Sequence, residues 1–235
     1  MKAIVKTNNL TKVYKEVTAV NNVNMTIHEG EIYGFIGENG AGKSTVIRLL
    51  TKIAKPTSGD FIIDLPEGLG RIAAIVETPA IHNSLTAIDN LKYQATMLGL
   101  KKSKEELEEL LIEVGLEDII KFKKKVKDFS LGMKQRLTIA LALMGDPKLI
   151  LLDEPMNGLD PIGIKKMRDL ILKLNQENKI TFLISSHLLT ELDKVATKYG
   201  FISKGKLIKE ISASEIHESG LTIEDYYLKT ILEGK

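Results

Sequence analysis

The sequence predicts an α/β protein with a mostly parallel sheet and a helical subdomain inserted between its strands. Three short, almost wholly apolar runs, at residues 32–36, 148–152 and 180–185, indicate strands that are buried on both faces. A helical pattern follows each run, and this alternation favours parallel pairing. Between residues 85 and 144 the apolar residues instead recur at helical spacing, which indicates the inserted subdomain.

The composition is that of an ordinary globular protein and excludes several classes of site. Of the 235 residues, 43% are hydrophobic, enough for one large domain with a subdomain. A formal net charge of +2 produces no strong field, so no nucleic-acid partner is expected. The lack of cysteine excludes disulfides and thiolate metal sites. Because no secretory signal and no apolar run of ~20 residues is present, we expect a soluble chain that reaches a membrane only through a partner.

The N-terminal third predicts strands on both sides of a glycine-rich loop. Val20, Val23, Met25 and Ile27 are apolar among polar neighbours, and residues 28–31 suit a turn. The sequence then predicts, in order, a strand at 32–36, a helix at 43–53 broken by KPTSGD, and strands at 61–63 and 72–76.

Helix-start and helix-stop signals organise the middle of the chain. Thr86 with Asp89, and Ser103 with Glu106, have the spacing of capping boxes, and Gly115 suits a helix end. The next helix follows Ser130 and is ended by Gly145 and Pro147; the apolar residues of one face are Met133, Leu137, Ala140, Leu141 and Met144.

The C-terminal part returns to strand–helix alternation. The strand at 148–152 precedes a helix from Pro161 with Asp160 as its cap, and the strand at 180–185 precedes a short helix through Leu192. A hairpin is expected around SKGK, and one or two short helices after Ser212. The predicted organisation is a core with a β-subdomain at 1–84 and 146–211, a helical insert at 85–145, and a tail at 212–235.

The strongest functional motif is GENGAGKS at residues 37–44, which matches GxxxxGK[ST] between a predicted strand and a predicted helix. Its glycines let backbone amides surround the phosphates of a nucleotide, and the helix N-terminus adds its positive dipole end. We expect Lys43 to neutralise the terminal phosphates and Ser44 to bind Mg²⁺. The alternative is a glycine-rich turn with an incidental lysine. The nucleotide-binding residues predicted here are Gly37, Asn39, Gly40, Ala41, Gly42, Lys43, Ser44 and Thr45.

Two carboxylates follow the apolar residues 149–152. A buried strand delivers Asp153 and Glu154 to its carboxyl end, where ligands bind in open α/β sheets. We expect Asp153 to hold Mg²⁺ through its water shell, and Glu154 to polarise the attacking water as general base. The alternative is a strand that ends in a solvated acidic turn.

A second anion-binding helix start is predicted at SLGMKQ, residues 130–135. Ser130 and Gly132 begin a helix with free amides, yet nothing beside them supplies a second lysine–magnesium system. This helix either binds the γ-phosphate of a nucleotide held by another copy, or Ser130 is merely a local helix cap. The stretch resembles a degenerate form of the LSGGQ signature of ATP-binding-cassette (ABC) ATPases, which closes over the ATP of a head-to-tail partner. The residues matched to the signature are Ser130, Leu131, Gly132, Met133, Lys134 and Gln135.

The resemblance extends over nearly the whole chain and implies a P-loop NTPase-type fold with an N-terminal antiparallel β-subdomain. It implies that Tyr14 stacks on adenine and that His187 contacts the γ-phosphate and helps to orient the water. Taken alone, Tyr14 would be interpreted as a packed strand aromatic and His187 as a structural histidine. The residues that resemble the D-loop, which crosses the dimer interface in this family, are Asn157, Gly158, Leu159 and Asp160.

Glu77 departs from the family pattern, which has a glutamine where the strand at 72–76 leaves the core. The resemblance implies that Glu77 meets Mg²⁺ and the attacking water, as a metal ligand and a catalytic residue. The alternative is drift at a tolerant loop, or a surface acid that faces a partner. This substitution, together with the short segment between Gly59 and Glu77, resembles the ATPase subunits of bacterial exporters for bacitracin and lantibiotic-type peptides.

The resemblance therefore implies an ATP-hydrolysing subunit of an ABC transporter that uses ATP and Mg²⁺ and exports an antimicrobial peptide or drug. We expect a cytoplasmic homodimer, peripheral on the inner face of the cell membrane. Its separate permease subunits are expected to contact the loop around Glu77 and the helices near 85–98.

Three other interpretations stay open. A soluble ABC ATPase that switches on ribosomes or DNA would usually carry two cassettes or long coiled-coil insertions. A P-loop kinase would leave residues 130–135 and His187 without a role. The basic run KFKKKVK at 121–127 is interpreted as a solvated helix face, with contact to anionic lipid as the alternative.

Overall fold

The computed structural model describes residues 1–68, 70–76 and 81–233, and it contains two β-sheets with helices packed around the larger one. The strands are β1 (Ala3–Tyr14), β2 (Val17–Val23), β3 (Thr26–His28), β4 (Ile32–Ile36), β5 (Ser58–Ile63), β6 (Ile72–Ile75), β7 (Leu149–Asp153), β8 (Thr181–Ser186), β9 (Lys198–Ser203) and β10 (Lys206–Ser212). The helices are α1 (Lys43–Leu50), α2 (Ala87–Met97), α3 (Lys104–Glu113), α4 (Asp118–Phe122), α5 (Leu131–Leu143), α6 (Pro161–Asn178), α7 (Leu189–Asp193), α8 (Ala213–Glu218) and α9 (Ile223–Glu233). Among these described residues, no helix combines the length and apolar character needed to cross a membrane.

The larger sheet confirms the predicted mostly parallel arrangement. Its strand order is β10-β9-β4-β8-β7-β6, and of these described strands β10 alone runs antiparallel to its neighbour. Every residue of β4 and β8 is buried, as expected for apolar runs covered on both faces. Alternate side chains supply the two cores: Tyr33 and Phe35 pack with α1 and the smaller sheet, whereas Ile32 and Ile36 pack with helices on the opposite face.

The smaller sheet confirms the antiparallel N-terminal β-structure. β1 is its central strand and pairs antiparallel with β2, β3 and β5. The sequence-based prediction placed strands from Val20 onward and did not single out β1. Asn9 has a φ of 47°, and the register of β1 with β5 shifts between Asn8 and Thr11. No continuous period-two pattern therefore marks this strand in the sequence.

Helices α2 to α5 lie between β6 and β7 in the chain, where the helical segment was predicted. Ser103 and Glu106 form the complete capping box at the start of α3. Thr86 caps α2 by accepting the Asp89 amide, but the Asp89 carboxylate accepts the Thr86 hydroxyl rather than its backbone amide. Aspartate is one methylene shorter than the glutamate of a capping box, so only half of this motif forms.

The end of α5 lies against the edge strand β6. The helix ends at Leu143, close to the predicted stop at Gly145. A Cβ added at Gly145 would lie 2.6 Å from the Cα of Gly70. Gly145 thus permits the close approach of two backbones in addition to ending the helix.

The C-terminal tail folds back onto the larger sheet. β9 and β10 form the predicted hairpin, and α8 and α9 are the short helices expected after Ser212. The ring of Tyr227 in α9 meets the ring of Phe201 edge-on, with the centroids 5.6 Å apart. Because Phe201 is in register with Ile36, the tail covers the strand beside the glycine-rich loop.

Candidate nucleotide-binding and catalytic site

The glycine-rich loop connects β4 directly to α1, as the motif predicts. Gly42 has a φ of 109°, and a Cβ at this position would lie 2.5 Å from the carbonyl oxygen of Ala19. Only glycine suits this backbone and this space. The Gly205 amide donates to the Ala41 carbonyl over 2.9 Å, which ties the loop to the β9–β10 hairpin. Asn39 and Gly40 are exposed at the tip of the loop, where amides can meet phosphate oxygens.

Lys43 begins α1 and points back into its own loop. Its side chain is only 5% exposed, and its Nζ donates to the carbonyls of Gly37 over 2.6 Å and Glu38 over 3.2 Å. Ser44 and Thr45 complete the first turn of the helix, with Ser44 half-buried. The motif thus presents an ammonium, a hydroxyl and a helix N-terminus at the carboxyl end of β4.

Asp153 and Glu154 lie at the carboxyl end of β7, two strands away from β4, as predicted. Glu154 has a φ of 52°, a left-handed conformation that turns the chain sharply after the strand. Its Oε1 atom is buried, accepts no hydrogen bond within the described residues, and lies 3.4 Å from Lys43 Nζ. A buried carboxylate oxygen that accepts no hydrogen bond is suited to accept a proton from water.

His187 closes the other side of Glu154. Its Nδ1 lies 2.8 Å from Glu154 Oε2, and its backbone amide donates to the same oxygen over 3.4 Å. Ser186 accepts the Leu188 amide over 2.9 Å and so fixes the turn that carries the histidine. The structure therefore brings Lys43, Glu154 and His187 into one cluster.

The sequence-based prediction missed Ser185, which is fully buried at the end of β8. Its hydroxyl donates to Asp153 Oδ1 over 2.5 Å and accepts the Glu154 amide over 3.1 Å. Two adjacent serines at the carboxyl end of the buried strand ITFLISS are the signal that could have found it, since a buried polar group needs a partner.

The signature and D-loop residues meet at a second location. Ser130 caps α5 by accepting the Met133 amide over 3.2 Å, and Asp160 caps α6 by accepting the Gly163 amide over 2.6 Å. The two helix starts share a cleft of ≈ 400 Å³, lined by Ser130, Leu131, Gly132, Met133, Arg136, Gly158, Leu159, Asp160, Ile162, Gly163 and Lys166. Asp160 thus caps α6 as predicted, and the alternative interpretation of Ser130 as a local cap also holds. The first residues of α5, where a helix has free amides, line this cleft.

Arg136 fixes the signature helix to α3. Its guanidinium donates to the carbonyls of Val114, over 3.2 Å, and of Gly115 at the end of α3. Burial lowers the pKa of Arg136, and the nearby Glu117 carboxylate partly offsets that effect. The orientation of the signature is therefore coupled to the packing of its neighbouring helix.

No hydrogen bond or ion pair among the described residues joins the Tyr14 side chain to these clusters. Tyr14 is 42% exposed at the end of β1, with Lys12 Nζ 4.9 Å above its ring. Its β1–β2 hairpin reaches the phosphate loop through Ala19, which lies against Gly42. Glu77 lies outside the described residues.

Comparisons with known proteins agree with this arrangement. A family model described as ABC transporter matches residues 20–157. The bacitracin transport ATP-binding protein BcrA of Bacillus licheniformis is 48% identical over 218 residues, covering 90% of this chain and 70% of that protein. The lantibiotic transport ATP-binding protein SrtF of Streptococcus pyogenes is 47% identical over 218 residues, covering 90% of this chain and 93% of that protein.

A solved structure extends the likeness to the fold. The dimeric post-hydrolysis state of the ATP-binding cassette MJ0796 bound to ADP and Pi has a TM-score of 0.77 and 28% identity, covering 89% of this chain and 98% of that chain. These likenesses do not favour the alternative of a switch on ribosomes or DNA. The chain belongs to the ABC transporter family, in which it is an ATP-binding subunit that hydrolyses ATP.

Proposed function

We propose that two copies of this chain pair head-to-tail, so that Ser130 of each copy closes over the ATP held by the phosphate loop of the other. The observation that carries this proposal is the separation of the two phosphate-binding helix starts into different packing environments. α1 packs against β2 and β7, whereas α5 packs against α2, α3, α6 and β6. Each cluster has the amides to bind phosphate. In the first, the buried Lys43 lies 3.4 Å from the Glu154 carboxylate, whereas Lys166 and Asp160, two of the described residues that line the second, form no ion pair with each other.

The residues at the phosphate loop suit ATP and Mg²⁺. Mg²⁺ is commonly held by one or two protein oxygens together with substrate phosphates. Ser44 and Asp153 offer a hydroxyl and a carboxylate, and the residues next to them, Lys43 and Glu154, lie 3.4 Å apart. When bound, the cation neutralises the charge that develops on the phosphates. Glu77 is proposed as a further ligand, and Tyr14 as the adenine-stacking residue.

Glu154 is proposed as the general base, and His187 as the residue that contacts the γ-phosphate and helps to orient the attacking water. Glu154 Oε2 is occupied by His187, which leaves the buried Oε1 for the proton of the attacking water. Lys43 must exchange its contacts with Gly37 and Glu38 for phosphate oxygens. ATP binding thereby changes the charge around Glu154 at the moment when it is needed as a base.

The transport role follows from the relatives. BcrA and SrtF are named for bacitracin and lantibiotic transport. We accordingly assign this chain to the export of a peptide antibiotic by separate permease subunits, with the homodimer peripheral on the inner face of the membrane. Production of the chain with the membrane protein encoded beside it should raise bacitracin or lantibiotic resistance, and the two proteins should purify together.

Glu154→Gln tests the catalytic assignment. The substitution keeps the shape but removes the base, so turnover should fall by about 10²- to 10⁴-fold while ATP is still bound in a stable dimer. Glu109→Gln, on the exposed face of α3, is the matched control and should hydrolyse ATP normally. Wild-type turnover by Glu154→Gln would show that another group is the base.

A further inference from the structure

The strand that bears Asp153, β7, makes a buried side-chain hydrogen bond with its neighbour β8 that has no role in the chemistry proposed above. Ser185 on β8 lies opposite Asp153 on β7 in the parallel register, and its side chain is fully buried. Its hydroxyl donates to Asp153 Oδ1 over 2.5 Å. The remaining oxygen of Asp153, Oδ2, forms no hydrogen bond with any of the described residues.

The same hydroxyl also supports the turn at Glu154. The Glu154 amide donates both to Ser185 Oγ and to the Ser185 carbonyl, each over 3.1 Å. Glu154 has a left-handed backbone at this point, which costs free energy in any residue with a side chain. One buried hydroxyl therefore contacts both functional residues, with its proton directed at the first and its lone pair at the second.

We propose that Ser185 is a positioning residue for the metal-binding and catalytic carboxylates. By holding Oδ1, it directs Oδ2 of Asp153 toward the nucleotide edge, and by accepting the Glu154 amide it holds the base at a fixed distance from that carboxylate. Hydrogen bonds of this kind, made to a residue that serves a metal, orient that residue without touching the metal. This inference rests on the proposed roles of Asp153 and Glu154.

The control is a second buried hydroxyl on the same strand. Thr181 begins β8, is fully buried, and pairs with Leu149 at the opposite end of the same two strands. Its Oγ1 accepts the Gly30 amide over 2.9 Å, away from the carboxylates. Thr181→Val removes a hydroxyl of equal burial, so it reports the purely structural effect of such a loss.

The experiment compares Ser185→Ala, Thr181→Val and Asp153→Asn in the full chain. ATP binding is titrated by calorimetry with Mg²⁺ and with EDTA, and turnover and thermal unfolding are measured alongside. Ser185→Ala should weaken binding of ATP with Mg²⁺ and reduce turnover, each by about tenfold, while ATP in EDTA binds normally. Thr181→Val should lower thermal stability alone. In the double variant of Ser185→Ala and Asp153→Asn, the metal-dependent affinity should be no lower than in Asp153→Asn.

The outcomes separate the inference from the proposal on which it rests. If Asp153→Asn keeps wild-type Mg²⁺ dependence, the metal role of Asp153 is wrong, and with it the role of Ser185. If Asp153→Asn loses that dependence but Ser185→Ala retains it, Ser185 is structural and only the inference fails. Equal losses of ATP affinity with Mg²⁺ and with EDTA in Ser185→Ala would likewise overturn the inference, because they indicate a general distortion of the loop.

Discussion

Substitutions at Ser130 separate its two proposed roles, the helix cap and the contact with the partner's phosphate. Ser130 Oγ accepts one amide of α5, so Ser130→Ala should lower the free energy of unfolding by about 1 kcal/mol. Asparagine and aspartate cap helices as well as serine does, so both variants should keep the stability of the wild-type chain. They differ in charge, and therefore in their effect on a phosphate held opposite.

The magnitude of that charge effect can be worked out from the proposed geometry. A carboxylate about 4 Å from one negative charge of the γ-phosphate, at an effective dielectric constant of about 20, costs about 4 kcal/mol. That cost corresponds to about 1,000-fold per site, and because both sites of the head-to-tail pair carry the substitution, to about 10⁶-fold in the ATP-driven association of two copies. Ser130→Asp should therefore abolish the dimer. Ser130→Asn is uncharged and should weaken the dimer only because its side chain is larger than that of serine.

The assay is sedimentation of both variants in a Glu154→Gln background, where slow hydrolysis preserves the ATP-bound pair. Urea unfolding of the same samples confirms that the caps are equivalent. If Ser130→Asp associates with ATP as tightly as Ser130→Asn, no phosphate faces Ser130. The head-to-tail site would then have to be abandoned.

Three further predictions concern the packing that supports the site. Gly200→Ala places a Cβ against the Tyr33 hydroxyl in the packed interior, so urea titrations should show the free energy of unfolding falling by about 1–3 kcal/mol. An unchanged urea midpoint would show that Tyr33 does not pack against this position. A hydrogen bond from Lys194 holds the pKa of the Glu191 carboxyl below its usual value, so its stabilising contribution is present near neutral pH and disappears as the pH falls through that lowered pKa. In Glu191→Gln, the free energy of unfolding should therefore fall less steeply as the pH is lowered. An unchanged pH dependence would show that Glu191 does not contribute to the loss of stability in acid. Arg136→Lys removes the guanidinium that donates two hydrogen bonds at the end of α3, so the free energy of unfolding, measured by thermal unfolding, should fall by about 1–2 kcal/mol. Wild-type stability would show that these hydrogen bonds do not stabilise the fold.

The central sheet and the phosphate loop could be predicted because their signals are local. The apolar run at Ile32–Ile36 and the glycines that follow it specify a buried strand and a tight loop without reference to distant residues. Asp160 and Ser103 were predicted as caps for the same reason, since a cap is a contact between residues three positions apart.

Long-range contacts could not be predicted in this way. Ser185 reaches Asp153 only because β7 and β8 are in register, and no local pattern encodes that register. The contact of Glu154 with Lys43 likewise depends on the strand order of the sheet. The boundaries at residues 84, 145 and 211 and the roles of Tyr14 and Glu77 stay predictions.

The aromatic packing of α9 on β9 has a consequence for the order in which the chain acquires its structure during synthesis. Phe201 lies beside the strand that leads into the phosphate loop, and its partner Tyr227 is translated much later than the loop itself. Until the ribosome has released α9, this side of β9 presents bare aromatic surface, which is the kind of surface that chaperones bind. A nascent chain that already carries the complete loop therefore still lacks the last layer of packing behind it.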